Sequence, residues 1–309
     1  MKFKDRDVVS IRDFSVDEIA HILDVAREMV PIAEGRERST LLSGRILATL
    51  FFEPSTRTRL SFESAIARLG GQYVGFADPE ATSAKKGETL ADTVRMAEVY
   101  ADVIVLRHSR EGAARLAAEF SSKPVINAGD GAGQHPTQTL LDLFTIREEL
   151  GGIEGKSIAL MGDLKYGRTA HSLAYALALF GASLTFVSPD ELQMPEEIVE
   201  RLRGQGCEPR SARLLEDVVE DIDAVYVTRI QRERFPDPNE YLKVAGGYQV
   251  NLEVLKASKK GAIVMHPLPR VTEVAPEVDG TRHAVYFRQA FYGVPVRMAI
   301  LALVLGEVG

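Results

Sequence analysis

Residues 51–65 read FFEPSTRTRLSFESA, and their spacing puts Arg57 and Arg59 into the first turn of a helix. A serine or threonine at such a start, here Ser55 or Thr56, is ordinary capping. The arginines are not ordinary: a helix start carries a partial positive charge, so each guanidinium costs a few tenths to about 1 kcal/mol unless an anion is bound. A phosphate reverses that sign, because backbone N–H groups, the Ser/Thr hydroxyls and one guanidinium can share its oxygens. Residues 57 and 59 sit about 200° apart around a helix, so one of the two faces such a ligand and the other serves structure.

Two more helix starts repeat the pattern. NAGDGAGQHPTQ places His135 just before a helix whose first position suits Pro136, and GDLKYGRTAHSL places Arg168 at another start. Near positive backbone ends His135 tends to the neutral form, which still donates one hydrogen bond to a carbonyl oxygen. Two further arginines end strand-like runs: Arg107 closes VIVLR, and Arg229 closes AVYVTR with Gln231 shortly after. In open α/β sheets ligands collect beyond the carboxyl ends of the strands, where arginine grips carboxylates or phosphates with two parallel hydrogen bonds. Each arginine taken singly is as readily a salt-bridge partner. HPLPR (266–270) follows AIVMH in the same way, and its X-Pro bonds stiffen a loop that can offer backbone carbonyls to a substrate amino group.

Other polar segments read more plainly. ATSAKKGET (81–89), with Ser83, Lys85 and Lys86, is by itself a solvated loop, and EDVVEDID (216–223) an exposed acidic helix face with no convergent metal ligands. GDLKYGRT lacks the G-x-G-x-x-G spacing and no Walker lysine motif occurs, so no nucleotide is indicated. Neither a Ser-His-Asp nor a Cys-His arrangement suggests itself. The residues thus point to a binder of a small polyanion bearing phosphate and carboxylate groups, with no metal and no cofactor.

The elements that must carry these residues alternate: RILATLFF, GGQYVGF, VIVLR, SIALM, SLTFV, AVYVT and AIVMH read as strands between helix-like stretches, which predicts mainly parallel sheets flanked by helices. In TRLSFESAIARLGG the apolar Phe62, Ala65, Ile66 and Leu69 follow helical spacing, and Gly70-Gly71 ends it. The expected architecture is α/β with two domains: 1–135 plus 288–309, a linking helix over 136–150, and 151–287. The apolar run VPVRMAILALVL (294–305) is too short to span a bilayer and carries Arg297, so it reads as a buried C-terminal helix returning to the first domain. The chain has 309 residues, 37 Lys and Arg against 44 Asp and Glu, and a net charge of -7, which argues against a nucleic-acid or anionic membrane surface. A single cysteine, Cys207, excludes an intrachain disulfide framework and fits a reducing compartment. MKFKDRDVVSIRDF lacks the apolar stretch of a secretory signal, so the expected location is cytoplasmic.

In this order, and across nearly the whole chain, STRTRLSFE, SAKKGET, RH, HPTQ, GDLKYGRT, TRIQ and HPLPR resemble the catalytic chains of aspartate carbamoyltransferases. STRTR and HPTQ mark carbamoyltransferases in general. Pro267, where ornithine carbamoyltransferases carry a cysteine, and TRIQ, where they carry an SMG segment, favour aspartate as acceptor. The resemblance implies transfer of the carbamoyl group from carbamoyl phosphate to L-aspartate, giving N-carbamoyl-L-aspartate and phosphate in pyrimidine biosynthesis. It implies that Ser55, Thr56, Arg57 and Thr58 hold the phosphate with Arg107, that His135 and Thr58 polarise the carbonyl, and that Gln138 and the backbone carbonyls of Leu268 and Pro269 receive the amino group. Arg168, Arg229 and Gln231 match positions that bind aspartate's carboxylates, and the resemblance makes Lys86 a further aspartate-binding residue. Ser83 and Lys86 match a loop that reaches a neighbouring subunit's site, which implies a homotrimer with shared active sites; separate regulatory chains are a further partner to consider. Another amine acceptor such as ornithine is the enzymatic alternative. A noncatalytic anion-binding scaffold is the alternative of another class, disfavoured because the arginines and His135 are all kept.

Overall fold

Continuous apolar runs become strands buried on both faces, as parallel sheets covered by helices require. The computed structural model describes residues 2–78, 80, 82–230 and 248–308. The chain divides into two units, Met1–Phe144 with Ala290–Gly309, and Thr145–Gln289.

In the first unit β1 (Ile46–Phe51), β2 (Gln72–Phe76), β3 (Val103–His108) and β4 (Val125–Asp130) form an all-parallel sheet of order β2-β1-β3-β4. Around it lie α1 (Val16–Ala33), α2 (Thr56–Arg68), α3 (Leu90–Tyr100), α4 (Ala113–Phe120) and the first part of α5 (Pro136–Leu150). The chain caps α1 conventionally: the Ser15 hydroxyl accepts from Glu18 N–H, and the Glu18 carboxylate accepts from Ser15 N–H. Along α2, Phe62, Ala65, Ile66 and the following Leu69 are all fully buried, so the helical spacing of those residues is its core face.

In the second unit β5 (Ser157–Met161), β6 (Ser183–Val187), β7 (Arg210–Ala212), β8 (Ala224–Val227) and β9 (Ile263–Met265) form a parallel sheet of order β7-β6-β5-β8-β9. Its described helices are the end of α5, α6 (Arg168–Leu179), α7 (Glu196–Arg203) and the short α8 (Leu252–Leu255). The last helix, α9 (Tyr286–Val304), crosses back into the first unit; it begins well ahead of the apolar run and contains Pro295. By length and composition α9 could cross a membrane, but 67% of that window is buried inside the protein, as in a core helix.

The sequence reading and the fold differ in three places. β4 is not among the strands that the apolar runs predict, because Asn127, Gly129 and Asp130 interrupt its apolar pattern. The strand holds because the fully buried Asn127 amide donates to Val9 O and Asp130 Oδ1, each at 3.0 Å. β7 is three residues of polar edge with no periodicity to find. The acidic stretch 216–223 is not an α-helix: a 3₁₀ turn, Leu215–Asp217, leads into turns whose Val219 and Ile222 enter the core.

Both sheets reverse their winding once. In the first, the chain steps outward from β1 to β2 on one side and from β3 to β4 on the other, so the switch point lies between β1 and β3. In the second it lies between β5 and β8. The crevice beyond the strand carboxyl ends at such a point is where open α/β sheets take ligands.

Candidate functional site: arginines at two switch points

Beyond β1 the chain passes through Glu53 and Ser55 into α2; at the carboxyl end of β3 it presents Arg107. These two ends are held together, since Phe52 N–H donates to Arg107 O at 2.8 Å. The Arg107 guanidinium donates from Nε to Glu53 Oε2 at 2.9 Å and from Nη1 to Ala128 O at 3.0 Å, which fixes it across β1, β3 and β4. α2 lacks what α1 has. Ser55 makes no side-chain capping bond and the first turn holds no acidic residue, so its hydroxyl is not spent on the helix. Arg59 pairs with Glu63 at 3.8 Å one turn on, whereas Arg57 is exposed. Partial desolvation, and then the like charge of Arg107, hold the Arg57 guanidinium below its ordinary pKa. An anion beside the pair converts that repulsion into attraction. Thr56 is exposed and Thr58 buried on the same turn.

His135 precedes α5 and is buried, its carbonyl accepting from Gln138 N–H at 2.9 Å and Thr139 N–H at 3.2 Å. The loop that delivers it is built by Asp130, whose Oδ1 accepts from Gln134 N–H at 2.8 Å and whose Oδ2 accepts from Gly112 N–H at 2.9 Å. Gln138 donates from Nε2 to Asp142 Oδ1 at 2.9 Å. Ser83 and Lys86 bound a short 3₁₀ turn, both exposed.

In the second unit Gly162 follows β5 so closely against β8 that an added Cβ would lie 2.2 Å from Thr228 O; with φ at +115° only glycine fits. The loop beyond it leads to α6, which starts at Arg168 with no side-chain cap and no acid in its first turn. Arg229 follows Thr228 beyond β8, so Arg168 and Arg229 stand after the two strands that flank the switch point. Gln231 lies outside the described residues.

After β9 the HPLP segment is organised by His266. Its Nδ1 accepts from Leu268 N–H at 2.8 Å, so the proton sits on Nε2, which donates to Glu273 Oε1 at 2.8 Å. Glu273 Oε2 also accepts from Val271 N–H at 3.1 Å and Thr272 N–H at 3.0 Å. Burial pushes the Glu273 carboxyl up, but the His266 and main-chain hydrogen bonds outweigh it and hold it below its ordinary value. This buried pair keeps Leu268 at φ +56°, a left-handed conformation that costs a non-glycine residue about 1–3 kcal/mol. The Leu268-Pro269 bond is cis.

Glu53, Asp130, Asp142 and Glu273 escaped the sequence reading. Only Asp142 had a local signal, its helical i+4 spacing from Gln138.

Two parallel α/β units, each presenting arginines at the switch point of its sheet, define a class of two-domain proteins suited to small anions in both halves. Residues 6–148 match the family model for the carbamoyl-P binding domain of aspartate/ornithine carbamoyltransferase, and residues 154–304 match its Asp/Orn binding domain. The aspartate carbamoyltransferase catalytic subunit of Thermococcus kodakarensis is 60% identical over 309 residues, covering 100% of both chains. Among solved structures, the catalytic subunit of M. jannaschii aspartate transcarbamoylase superposes with a TM-score of 0.93 at 53% identity, covering 98% of each chain. The Trypanosoma cruzi enzyme in complex with carbamoyl phosphate and aspartate gives a TM-score of 0.92 at 42% identity, again covering 98% of each. The chain belongs to the aspartate/ornithine carbamoyltransferase family.

Proposed function

We propose that this chain transfers the carbamoyl group of carbamoyl phosphate to the amino group of L-aspartate, yielding N-carbamoyl-L-aspartate and phosphate for pyrimidine biosynthesis. The observation that carries this reading is the pairing of arginines at both sheet switch points, in a chain matched end to end by aspartate carbamoyltransferase catalytic subunits. In this account the first unit is the carbamoyl phosphate domain, the second the L-aspartate domain, and α5 links them.

Ser55, Thr56, Arg57 and Thr58 take the phosphate at the start of α2, and Arg107 reaches the same ligand. His135 and Thr58 hydrogen-bond the carbamoyl oxygen; Gln138 and the carbonyls of Leu268 and Pro269 accept from its amino group. Arg168, Arg229 and Gln231 hold the two carboxylates. The neutral amine of aspartate then attacks the carbamoyl carbon, a C–N bond forms, and negative charge develops on the carbonyl oxygen facing His135 and Thr58. The C–O bond to phosphate breaks, and the departing phosphate takes the amine proton. Positioning and electrostatics carry the rate.

Ser83 and Lys86 come from a neighbouring subunit in a homotrimer. Exposed apolar side chains on the first unit, Leu60 on α2 with Tyr73 and Val74 on the edge strand β2, support burial against another copy. The relatives' description as catalytic subunits supports separate regulatory chains, and the free, buried Cys207 supports a cytoplasmic location. The test is calorimetric titration with N-(phosphonacetyl)-L-aspartate, which joins both ligand halves. Binding at least about 100-fold tighter than either phosphate or aspartate alone is expected; affinity no better than that of phosphate would contradict the reading.

A further inference from the structure

Gln138 and Asp142 lie one turn apart on α5, where i and i+4 side chains meet. The amide Nε2 donates to Asp142 Oδ1 at 2.9 Å, and Asp142 is completely buried. An amide is nearly symmetric in shape but not in chemistry: turning it over exchanges an acceptor for a donor. A carboxylate accepts only, so Asp142 decides the matter. It holds the NH2 end toward itself and leaves the carbonyl oxygen as the end of Gln138 that a ligand can meet.

Asp142 lies within electrostatic reach of a buried cation. Arg297 on α9 is buried, donates from Nη1 to Ser61 Oγ at 2.9 Å and from Nη2 to Thr137 Oγ1 at 3.4 Å, and has its guanidinium 5.0 Å from the centre of the Phe62 ring. Burial pushes its pKa down to about 10, and the negative charge of Asp142 opposes that shift. Gly293, one turn earlier on α9, makes the room: a Cβ there would lie 2.4 Å from Arg297 Nη1. The guanidinium therefore joins α9 to α2 and α5, whose first turns carry Thr58 and follow His135, yet it is too buried to be a ligand-binding arginine. A buried cation in this position has a use if it supports a buried anion that must stay ionised.

We propose that Asp142, backed by Arg297, is a positioning residue that fixes Gln138 as a hydrogen-bond acceptor, so that the site selects acyl phosphates whose acyl group carries an NH2 over those that carry a methyl group. This rests on the reading that Gln138 receives the carbamoyl amino group. It makes the choice of acyl donor a property of a carboxylate that need not touch the substrate.

Acetyl phosphate, with a methyl group in place of the NH2, is the probe. The KM for carbamoyl phosphate and the inhibition constant of acetyl phosphate are measured for the wild type and for Asp142→Asn, Asp142→Ser, Asp142→Glu and Gln138→Leu. Freed from an acceptor-only partner, the amide turns over; Asp142→Asn and Asp142→Ser should raise the KM for carbamoyl phosphate about tenfold while moving the acetyl phosphate constant less than about twofold. Asp142→Glu should restore part of the discrimination, and Gln138→Leu should abolish it. An equal loss for both ligands in the Asp142 variants overturns the proposal and leaves a merely structural role. Loss of discrimination in Gln138→Leu but not in the Asp142 variants also overturns it, while sparing the assignment of Gln138. Unchanged discrimination in Gln138→Leu sinks that assignment and the proposal with it. Should no Asp142 variant fold, hydrogen exchange of the Gln138 side-chain NH2 in the wild type decides: slow exchange supports the lock, and exchange at the rate of a free amide refutes it.

Discussion

Replacing Glu273 by glutamine keeps the shape of the HPLP support and breaks its hydrogen-bond logic. In the wild type His266 Nδ1 is occupied by Leu268 N–H, so Nε2 must donate, and Glu273 accepts from it and from Val271 and Thr272 N–H. A glutamine offers one accepting oxygen. Turned toward Val271 and Thr272, it sets its NH2 against His266 Nε2–H; turned toward His266, it sets its NH2 against the two main-chain donors. Moving the His266 proton to Nδ1 only transfers the conflict to Leu268 N–H. Every arrangement leaves a buried donor facing a donor, a cost of about 1–3 kcal/mol, and the charge assistance of the carboxylate is lost as well, so the total should be about 2–4 kcal/mol. In a unit of this size that lowers the melting temperature by roughly 5–12 °C. The acid limb should change too. Because the folded pKa of Glu273 lies below its ordinary 4.5, its contribution is fully present above about pH 4.5 and lost as pH falls through the lower folded value. Glu273→Gln should therefore lose stability near neutrality but show a flatter decline on acidification. Thermal scans of wild type and variant between pH 3 and 7, with the KM for carbamoyl phosphate measured at pH 7, test this. A melting temperature within about 1 °C of wild type at neutral pH would refute the reasoning.

Three further outcomes follow from the two switch points. Arg57→Ala should lower kcat/KM by about 10²–10³ and cancel the rise in melting temperature that phosphate gives the wild type, read by scanning calorimetry with and without phosphate. Arg229→Ala should raise the KM for aspartate at least tenfold, the loss of about one charge-assisted hydrogen bond, while phosphate stabilisation persists; loss of both effects would place Arg229 on the wrong ligand. Mixing inactive Lys86→Ala chains with inactive Arg57→Ala chains should restore measurable activity through intact composite sites. No recovery after subunit exchange confirmed by mass spectrometry would contradict a shared site.

Strands with apolar runs and helices with 3.6-residue periodicity were legible in the sequence, because burial dictates both patterns. α2 is the clearest case: the residues chosen for their spacing are its core face. β4 was not legible, since its buried Asn127 and Asp130 are held by specific hydrogen bonds that composition does not announce. The anomaly of arginines at helix starts was visible too. What could not be read was strand order: the order β2-β1-β3-β4 sets Arg107 beside the entry to α2, and β5 beside β8 makes neighbours of the strands that lead to Arg168 at the start of α6 and to Arg229. The supporting carboxylates were equally hidden. Glu53 meets Arg107 across two strands, and Glu273 meets His266 through a loop whose path local sequence does not fix.

The most direct test of the account is product formation from carbamoyl phosphate with L-aspartate and with L-ornithine offered separately to the purified chain, following both phosphate and the carbamoylated amino acid. The account predicts stoichiometric phosphate and N-carbamoyl-L-aspartate with aspartate, and no product with ornithine. Turnover with ornithine alone would contradict the roles given to Arg168, Arg229 and Gln231, and turnover with neither would contradict the assigned reaction.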